Sequence, residues 1–284
     1  MEDTYPQLRV SAPGRVIAIG DLHGDIGQAR RALRLAGVLG EGDESGNPTW
    51  VGGDTTVVQV GDILDRGDDE IGILILLQKL EKEARKQGGG VYVLNGNHEV
   101  LNVSGDFRYV SRGAFGETMR FSQHLVKLFG DKFRDAFGVD EKDSWTRQSK
   151  ARIGLFSPGG PLAQQMSMNH TVLIVNDTVF AHGGLVPRHV EFGLDKLNRA
   201  VTDWMRGKEI KDDETLNKNV EAAIVEQVPE HILSAEDGDP ETRCQKRCGE
   251  NEMCHITSGG DTRCRCRPGF GKPTNLPDAR CESE

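Results

Sequence analysis

The sequence predicts an α/β fold on three observations. Short β-branched runs recur along the chain, each run ends in a glycine-bearing polar loop, and each loop leads into an amphipathic stretch with helical spacing. The first unit is RVIAIGDLHG, Arg15–Gly24, followed by DIGQARRALRLAGVLG, where Ile26, Ala29, Leu33, Ala36 and Val38 fall at helical spacing. TTVVQVGDILDRGDD repeats the scheme: Val57, Val58 and Val60 as strand, an acidic loop, then Ile71–Arg85 as a helix stopped by QGGG. GVYVLNGNHEV supplies a third strand and a third polar loop. Residues 105–150 are polar, charged and aromatic, and read as a mostly helical insertion that includes ETMRFSQHLVKLFG. HTVLIVNDTVFAHGGLVP, His170–Pro187, gives two strands around an Asn176-Asp177 turn and then a fourth polar loop. LDKLNRAVTDWMRG and KEIKDDETLNKNVEAAIVEQV read as helical, and SAEDGDPETR as a linker.

A chain of 284 residues suits one large domain or one domain plus a small module. Hydrophobic residues at 36% and charged residues at 28% exclude a disordered polymer. A net charge of -9 argues against a nucleic-acid partner, because binding along a phosphate backbone needs a basic surface. The longest apolar stretch, Ile71–Leu80, is too short to span a membrane and is flanked by charges, so it reads as a core helix. The opening MEDTYPQLRV has neither the basic nor the apolar region of an export signal. All six cysteines fall between Cys244 and Cys281. That distribution divides the chain into a main domain at 1–233, a linker at 234–243 and a small crosslinked module at 244–281.

VLNGNHEVLN, Val93–Asn102, interrupts an apolar run with an amide, an imidazole and a carboxylate, which are costly to bury without partners. Its setting supplies the reason. Four strand ends carry similar side chains: Asp21 and His23, Asp62 and Asp65, Asn97 and His98, and His182. Carboxylate oxygen, amide oxygen and imidazole nitrogen form a ligand set for Mn, Fe or Zn rather than a thiolate site. If the strands are neighbours the loops converge, and one bridging carboxylate makes a centre with cations roughly 3.5–4 Å apart that acts on a phosphoryl group. Taken singly, Gly-Asp after a strand is a turn and a lone histidine a satisfied polar residue; the ordered set of four outweighs those readings.

GDLHGD, GDILDRGDD, LNGNHE and HGGL resemble the ordered signature of the calcineurin-like metallophosphoesterases, within them the phosphoprotein phosphatase family. NHEVLNVSGDFRYV and SPGGPLAQQM are most similar to its Shewanella-like branch, and the resemblance covers Arg15 to Trp204. It implies a metallophosphoesterase β-sandwich flanked by helices, and hydrolysis of phosphate monoesters in a phosphoprotein or phosphopeptide substrate by a dinuclear metal-bound hydroxide. Residue by residue, it implies Asp21, His23 and Asp62 as ligands of the first cation, and Asp62, Asn97 and His182 as ligands of the second. His98 matches the general acid, Asp65 the carboxylate that keeps its ring proton-bearing, and Arg66 a two-oxygen phosphate clamp. Glu99 is expected to orient its neighbours from behind the ligands.

The resemblance also calls for a later strand ending in Gly-His, which would complete the second cation's ligands. His189 follows too closely, His231 has no apolar strand before it, and His255 lies among the cysteines. The C-terminal part of the sandwich therefore reads as incomplete, the strands near Val172–Ala181 as short of partners, and the second cation as one ligand short. A truncated reading frame would account for this. Genuine divergence would instead favour an impaired pseudophosphatase that binds phosphoprotein; hydrolysis of a nucleotide or another small phosphoester is a third reading.

The tail has the spacing C-x3-C-x5-C-x9-C-x-C-x14-C, with Gly269-Phe270-Gly271 before the last cysteine. Spacing alone allows fifteen pairings. The tail resembles an EGF-like module, which implies Cys244–Cys254, Cys248–Cys264 and Cys266–Cys281, and a protein partner in an oxidising or extracellular compartment. The sequons at Asn102, Asn169 and Asn176 fall by the metal loop or in the expected core and read as chance.

Overall fold

The computed structural model describes residues 4–42, 47–130 and 133–208, together with the backbone of four short strands beyond residue 251. The chain divides into two compact units, Met1–Val228 and Pro229–Glu284. The first unit opens with β1 (Arg9–Val10) and β2 (Val16–Ile19), then α1 (Ile26–Leu35), β3 (Thr56–Gln59), α2 (Glu70–Lys86), β4 (Gly90–Val93) and the short α3 (Asn97–Val103). A helical segment follows: α4 (Arg112–Phe129), α5 (Ser144–Phe156) and α6 (Pro161–Met166). The hairpin β5 (Val172–Val175) and β6 (Thr178–Ala181), then α7 (Pro187–Phe192) and α8 (Leu194–Met205), complete the described part.

Two three-stranded sheets result. One is parallel, in the order β2-β3-β4; the other runs β1-β5-β6, with β1 and β5 parallel and β5 and β6 antiparallel. Adjacent residues of β3 show how the layers form. Val57 joins the helix-side core with Ala29, Leu33, Leu77 and Leu80, whereas Val58 packs between the sheets with Leu94, Leu173 and Val175. A strand covered on both faces needs an uninterrupted apolar run, and all four residues of β3 are buried. Each fully buried Leu, Ile or Val contributes about 1.5–3 kcal/mol, so the Ile71–Leu80 stretch of α2 anchors the helical layer.

Helix starts follow local chemistry. Asp25 caps α1 by accepting from the Gln28 amide at 2.9 Å, Ser111 caps α4, and Asp143 caps α5, each cap contributing about 1 kcal/mol. Two expectations are corrected. Asn97, His98 and Glu99 stand in the first turn of a helix rather than in a loop, because the Glu99 carboxylate accepts the Gly96 amide that opens it. The strands near Val172–Ala181 are also better partnered than expected: β1, which the sequence did not announce, pairs along β5, and β6 pairs along its other side. Among the described residues β1 and β6 are the two edges of this sheet, and Val179 on β6 is 48% exposed.

In the second unit β7 (Glu252–Ile256) pairs antiparallel with β8 (Thr262–Cys266), placing Cys254 opposite Cys264, and β9 (Phe270–Gly271) pairs with β10 (Glu282–Ser283). The side chains of Cys244, Cys248, Cys254, Cys264, Cys266 and Cys281 lie outside the described residues, as do the expected linker at 234–243 and His231. Among the described residues no helix is long and apolar enough to cross a membrane.

Candidate metal centre

The loops after β2, β3 and β4 leave the same end of the parallel sheet and are bonded to one another. The amides of Leu22 and His23 donate to the Asp62 carbonyl at 2.9 and 3.0 Å, and Gly24 donates to Ile63. Glu99, fully buried, accepts from the amides of Asp62, Ile63, Leu64 and Gly96, so one carboxylate ties the second loop to the third. Burial and the charge of Asp62 push the Glu99 carboxyl up, against the pull of those amides. Gly96 is required by proximity: a Cβ there would lie 2.7 Å from the Asp62 amide nitrogen.

His23, Asp62, Asp65 and Arg66 all hold positive φ, at 44°, 57°, 70° and 69°. Non-glycine residues adopt this region rarely and at a cost of about 1–3 kcal/mol each, and here four of the five such residues among those described belong to the site.

Asp62 is the focus. Its Oδ2 lies 3.9 Å from His23 Nε2, 3.9 Å from His98 Nε2 and 3.3 Å from His182 Nε2. Two donor clusters share it, His23–Asp62–His98 and Asp21–Asp62–His182, each with its atoms within 4.8 Å of one another. Asn97 Oδ1 stands 3.0 Å from His182 Nε2, and Asp21, 53% exposed, reaches His23 Nε2 at 3.9 Å. Neither cluster includes His189.

The other nitrogen of each ring fixes its orientation. His23 Nδ1 lies 2.9 Å from the Leu64 carbonyl and His182 Nδ1 2.8 Å from the Val60 carbonyl; a carbonyl only accepts, so Nδ1 carries the proton and Nε2 is aimed inward. This is how metal-binding imidazoles are held, and the convergent carboxylate, imidazole and amide atoms fit a divalent cation. Without a cation, burial opposes charge on His182, but hydrogen bonding and attraction to Asp62 prevail and push it up to about 9. Burial likewise opposes ionisation of Asp62, yet its bonds to His182 and to the His98 amide hold it below the usual carboxylate range.

His98 is buried, with Nδ1 donating to Asp65 Oδ2 at 2.6 Å. The His23 and Tyr109 rings meet it edge-on at 4.7 and 5.2 Å. Arg66 is exposed, with Nη2 3.4 Å from His98 Nε2 and its amide tied to the Tyr109 carbonyl. Asp21, His23, Asp62, Asn97, His98 and His182 are thus brought together, with Arg66 beside His98 and Asp65 behind its ring.

Sequence reasoning missed the layer behind them. Gln59, buried, holds Gly20 and Gly61 through its amide; Asn102, fully buried, bonds Asp65; and Glu70 and Arg152 form a buried ion pair at 2.7 Å. Asn102 lies four residues beyond His98 on one helix, a spacing that places the two on one face. Its burial agrees with reading its sequon as chance. No local pattern marks Arg152.

A parallel sheet packed on a second sheet, with metal-ligand loops converging at its strand ends, defines a metallophosphoesterase fold. The chain belongs to the calcineurin-like phosphoesterase family, whose model matches residues 14–258. That match runs past the boundary expected at 233 and takes in Cys244, Cys248 and Cys254. The chain is 40% identical over 218 residues to Shewanella-like protein phosphatase 2 of Arabidopsis thaliana, covering 71% of this chain and 54% of the relative. It is 44% identical over 98 residues to Shewanella-like protein phosphatase 1 of Plasmodium berghei, covering 34% of this chain and 26% of that one. The chain thus spans about half or less of the length of these relatives. Among solved structures, the cold-active protein-tyrosine phosphatase of a psychrophilic Shewanella species aligns with a TM-score of 0.55 at 23% identity, over 77% of this chain and 58% of that one. This likeness fixes the fold, and the family implies divalent metal ions.

Proposed function

We propose that the chain hydrolyses phosphate monoesters on phosphoserine, phosphothreonine or phosphotyrosine in proteins, with two divalent cations and His98 as general acid. The observation that carries this reading is the approach of three imidazole Nε2 atoms to Asp62 Oδ2. The phosphatase names of the plant and parasite relatives add support. On the resemblance, Asp21, His23 and Asp62 would hold one cation and Asp62, Asn97 and His182 the other, in keeping with the approaches of Asp21 and Asp62 to His23 and of Asp62 and Asn97 to His182, although the two donor clusters place Asp21 with His182. When bound, such a pair polarises phosphoryl oxygens and a water.

The protein's own groups do the rest. Arg66, exposed beside His98, offers its guanidinium fork to two phosphoryl oxygens. As the water oxygen bonds to phosphorus and the bond to the leaving oxygen breaks, the proton on His98 Nε2 passes to that oxygen, giving a free hydroxyl and inorganic phosphate. Asp65 accepts the hydrogen bond from Nδ1–H, which stays on the ring, so the carboxylate fixes the imidazole and balances its charge until the Nε2 proton leaves. With manganese-loaded protein, p-nitrophenyl phosphate and a phosphopeptide are expected to turn over, and His98→Asn to lower kcat by about 10²–10⁴-fold with metal content unchanged. Equal rates in parent and variant would refute the role of His98.

A second reading, a phosphoprotein-binding protein with impaired turnover, draws on the absence of any histidine beside His182 in its cluster among the described residues. It expects about one ion per chain and phosphopeptide binding without hydrolysis. The EGF-like reading of the tail and its pairings stands with these proposals. Disulfide mapping that joined Cys254 to Cys264, opposite each other in the β7-β8 register, would overturn that pairing scheme.

A further inference from the structure

We propose that Arg152, on α5, is a positioning residue for the general acid, acting through Asn102, Glu70 and Asp65. The inference rests on the reading of His98 as the proton donor. Arg152 is 0% exposed and every one of its N–H directions has an acceptor. Nη1 donates to Glu70 Oε2 at 2.7 Å and Thr118 Oγ1 at 3.2 Å; Nη2 donates to Glu70 Oε1 at 3.1 Å and Asn102 Oδ1 at 2.6 Å; Nε donates to Asn102 Oδ1 at 3.0 Å. Phe156 lies 4.6 Å from the guanidinium carbon, and Phe107 and Phe115 lie 5.6 Å from it, so the group is also held across its faces.

Arg152 Nη2 itself lies 3.8 Å from Asp65 Oδ1, and two hydrogen-bonded routes also run from this fixed group to Asp65. Because a guanidinium only donates, it dictates which way the Asn102 amide points: Oδ1 toward Arg152, Nδ2 toward Asp65 Oδ1 at 2.9 Å and the His98 carbonyl at 2.9 Å. With Oδ1 of Asp65 so engaged, Oδ2 is left to accept the hydrogen bond from His98 Nδ1–H at 2.6 Å. Along the second route Glu70 Oε1, aligned by Arg152, accepts the Asp65 amide at 2.6 Å. Asp65 holds φ 70°, a backbone state that an aspartate keeps only where its surroundings enforce it. Without Arg152 the Asn102 Oδ1 loses both its donors and Glu70 loses its partner, so the groups that bond Asp65 are braced from one side only and Asp65 gains room to shift, taking the imidazole with it.

The competing reading is a bolt that fastens the helical insertion to the core and nothing more. The two differ in how activity depends on the leaving group. A misplaced general acid slows esters whose leaving oxygen needs a proton and spares those that leave unaided, whereas partial unfolding lowers both alike. Two full-length variants test this. Arg152→Met with Glu70→Gln removes both buried charges together, since removing one would strand the other. Asn102→Ala leaves the Arg152–Glu70 pair intact. With manganese, each is expected to lose about tenfold or more in kcat on phenyl phosphate, about twofold or less on 2,4-dinitrophenyl phosphate, and little in KM. Equal losses on both esters, or none, in folded Asn102→Ala overturn the proposal. The downfield proton resonance of His98 Nδ1–H, identified by its loss in His98→Asn, gives a reading independent of turnover. It is expected to shift or broaden in both variants, and an unchanged resonance overturns the proposal even if the parent protein hydrolyses no ester. Parent inactivity together with a shifted resonance would instead refute the hydrolase reading and leave the positioning chain standing.

Discussion

The two sheets meet the metal centre on different terms. The parallel sheet sends three loops, from β2, β3 and β4, of which the first two share backbone bonds and the last two a buried carboxylate, Glu99. The mixed sheet sends one loop, from β6, whose histidine is oriented by a bond to the Val60 carbonyl and whose strand has an open outer edge among the described residues. One side of the centre is therefore fixed before any ion arrives, and the other is completed by a side chain on a half-exposed hairpin. The candidate ligands of the parallel side are braced by loops bonded to one another, whereas His182 is braced by the Val60 carbonyl and its neighbour Asn97.

Asp62→Asn strikes both sides at once, since Asp62 alone belongs to both donor clusters. Turnover of p-nitrophenyl phosphate is expected to fall by about a thousandfold, with loss of bound metal by elemental analysis. Full metal content in this variant would mean that the sheets hold their ions independently. Glu99→Gln strikes the parallel side alone. Exchanging one acceptor oxygen for a donor faces it toward a backbone N–H, and urea unfolding is expected to register a loss of about 1–3 kcal/mol. Metal affinity is expected to weaken by about 10–100-fold.

The contribution of the mixed sheet is best read through pH. The His182 ring rises from 6.5 to about 9 in the metal-free protein, so the stabilisation it gains from Asp62 is complete below 6.5 and is lost as pH climbs through about 9. The melting temperature of metal-free protein is expected to decline across that window, and His182→Gln to flatten the decline. Cation binding displaces this proton, so calorimetry in buffers of different ionisation enthalpy is expected to detect proton release at neutral pH. Val179→Thr on the β6 edge is expected to change stability by less than about 0.5 kcal/mol and kcat not at all; a larger effect would show that this edge is covered in solution.

The sequence disclosed the parallel side more fully than the mixed side, for the same physical reason. β3 is buried on both faces and must be apolar throughout, so Val57, Val58 and Val60 stand out; the helix after it is long enough for its periodicity to show. β1 is a pair of residues recognisable only by its partner β5, and α3 begins inside a run whose local pattern resembles strand. The candidate ligands were legible because each follows an apolar run. Arg152 was not, because its partners Glu70, Asn102 and Thr118 lie 82, 50 and 34 residues away and only folding brings them together.

The left-handed backbone at His23, Asp62, Asp65 and Arg66 constrains any attempt to make this protein hardier. Glycine would relax each of these positions, and a search scored on melting temperature alone would be drawn toward it. Every such gain would delete an imidazole, a carboxylate or a guanidinium from the centre. Heat tolerance in descendants of this chain should therefore be sought in its helices and caps, with the β3 loop left under tension.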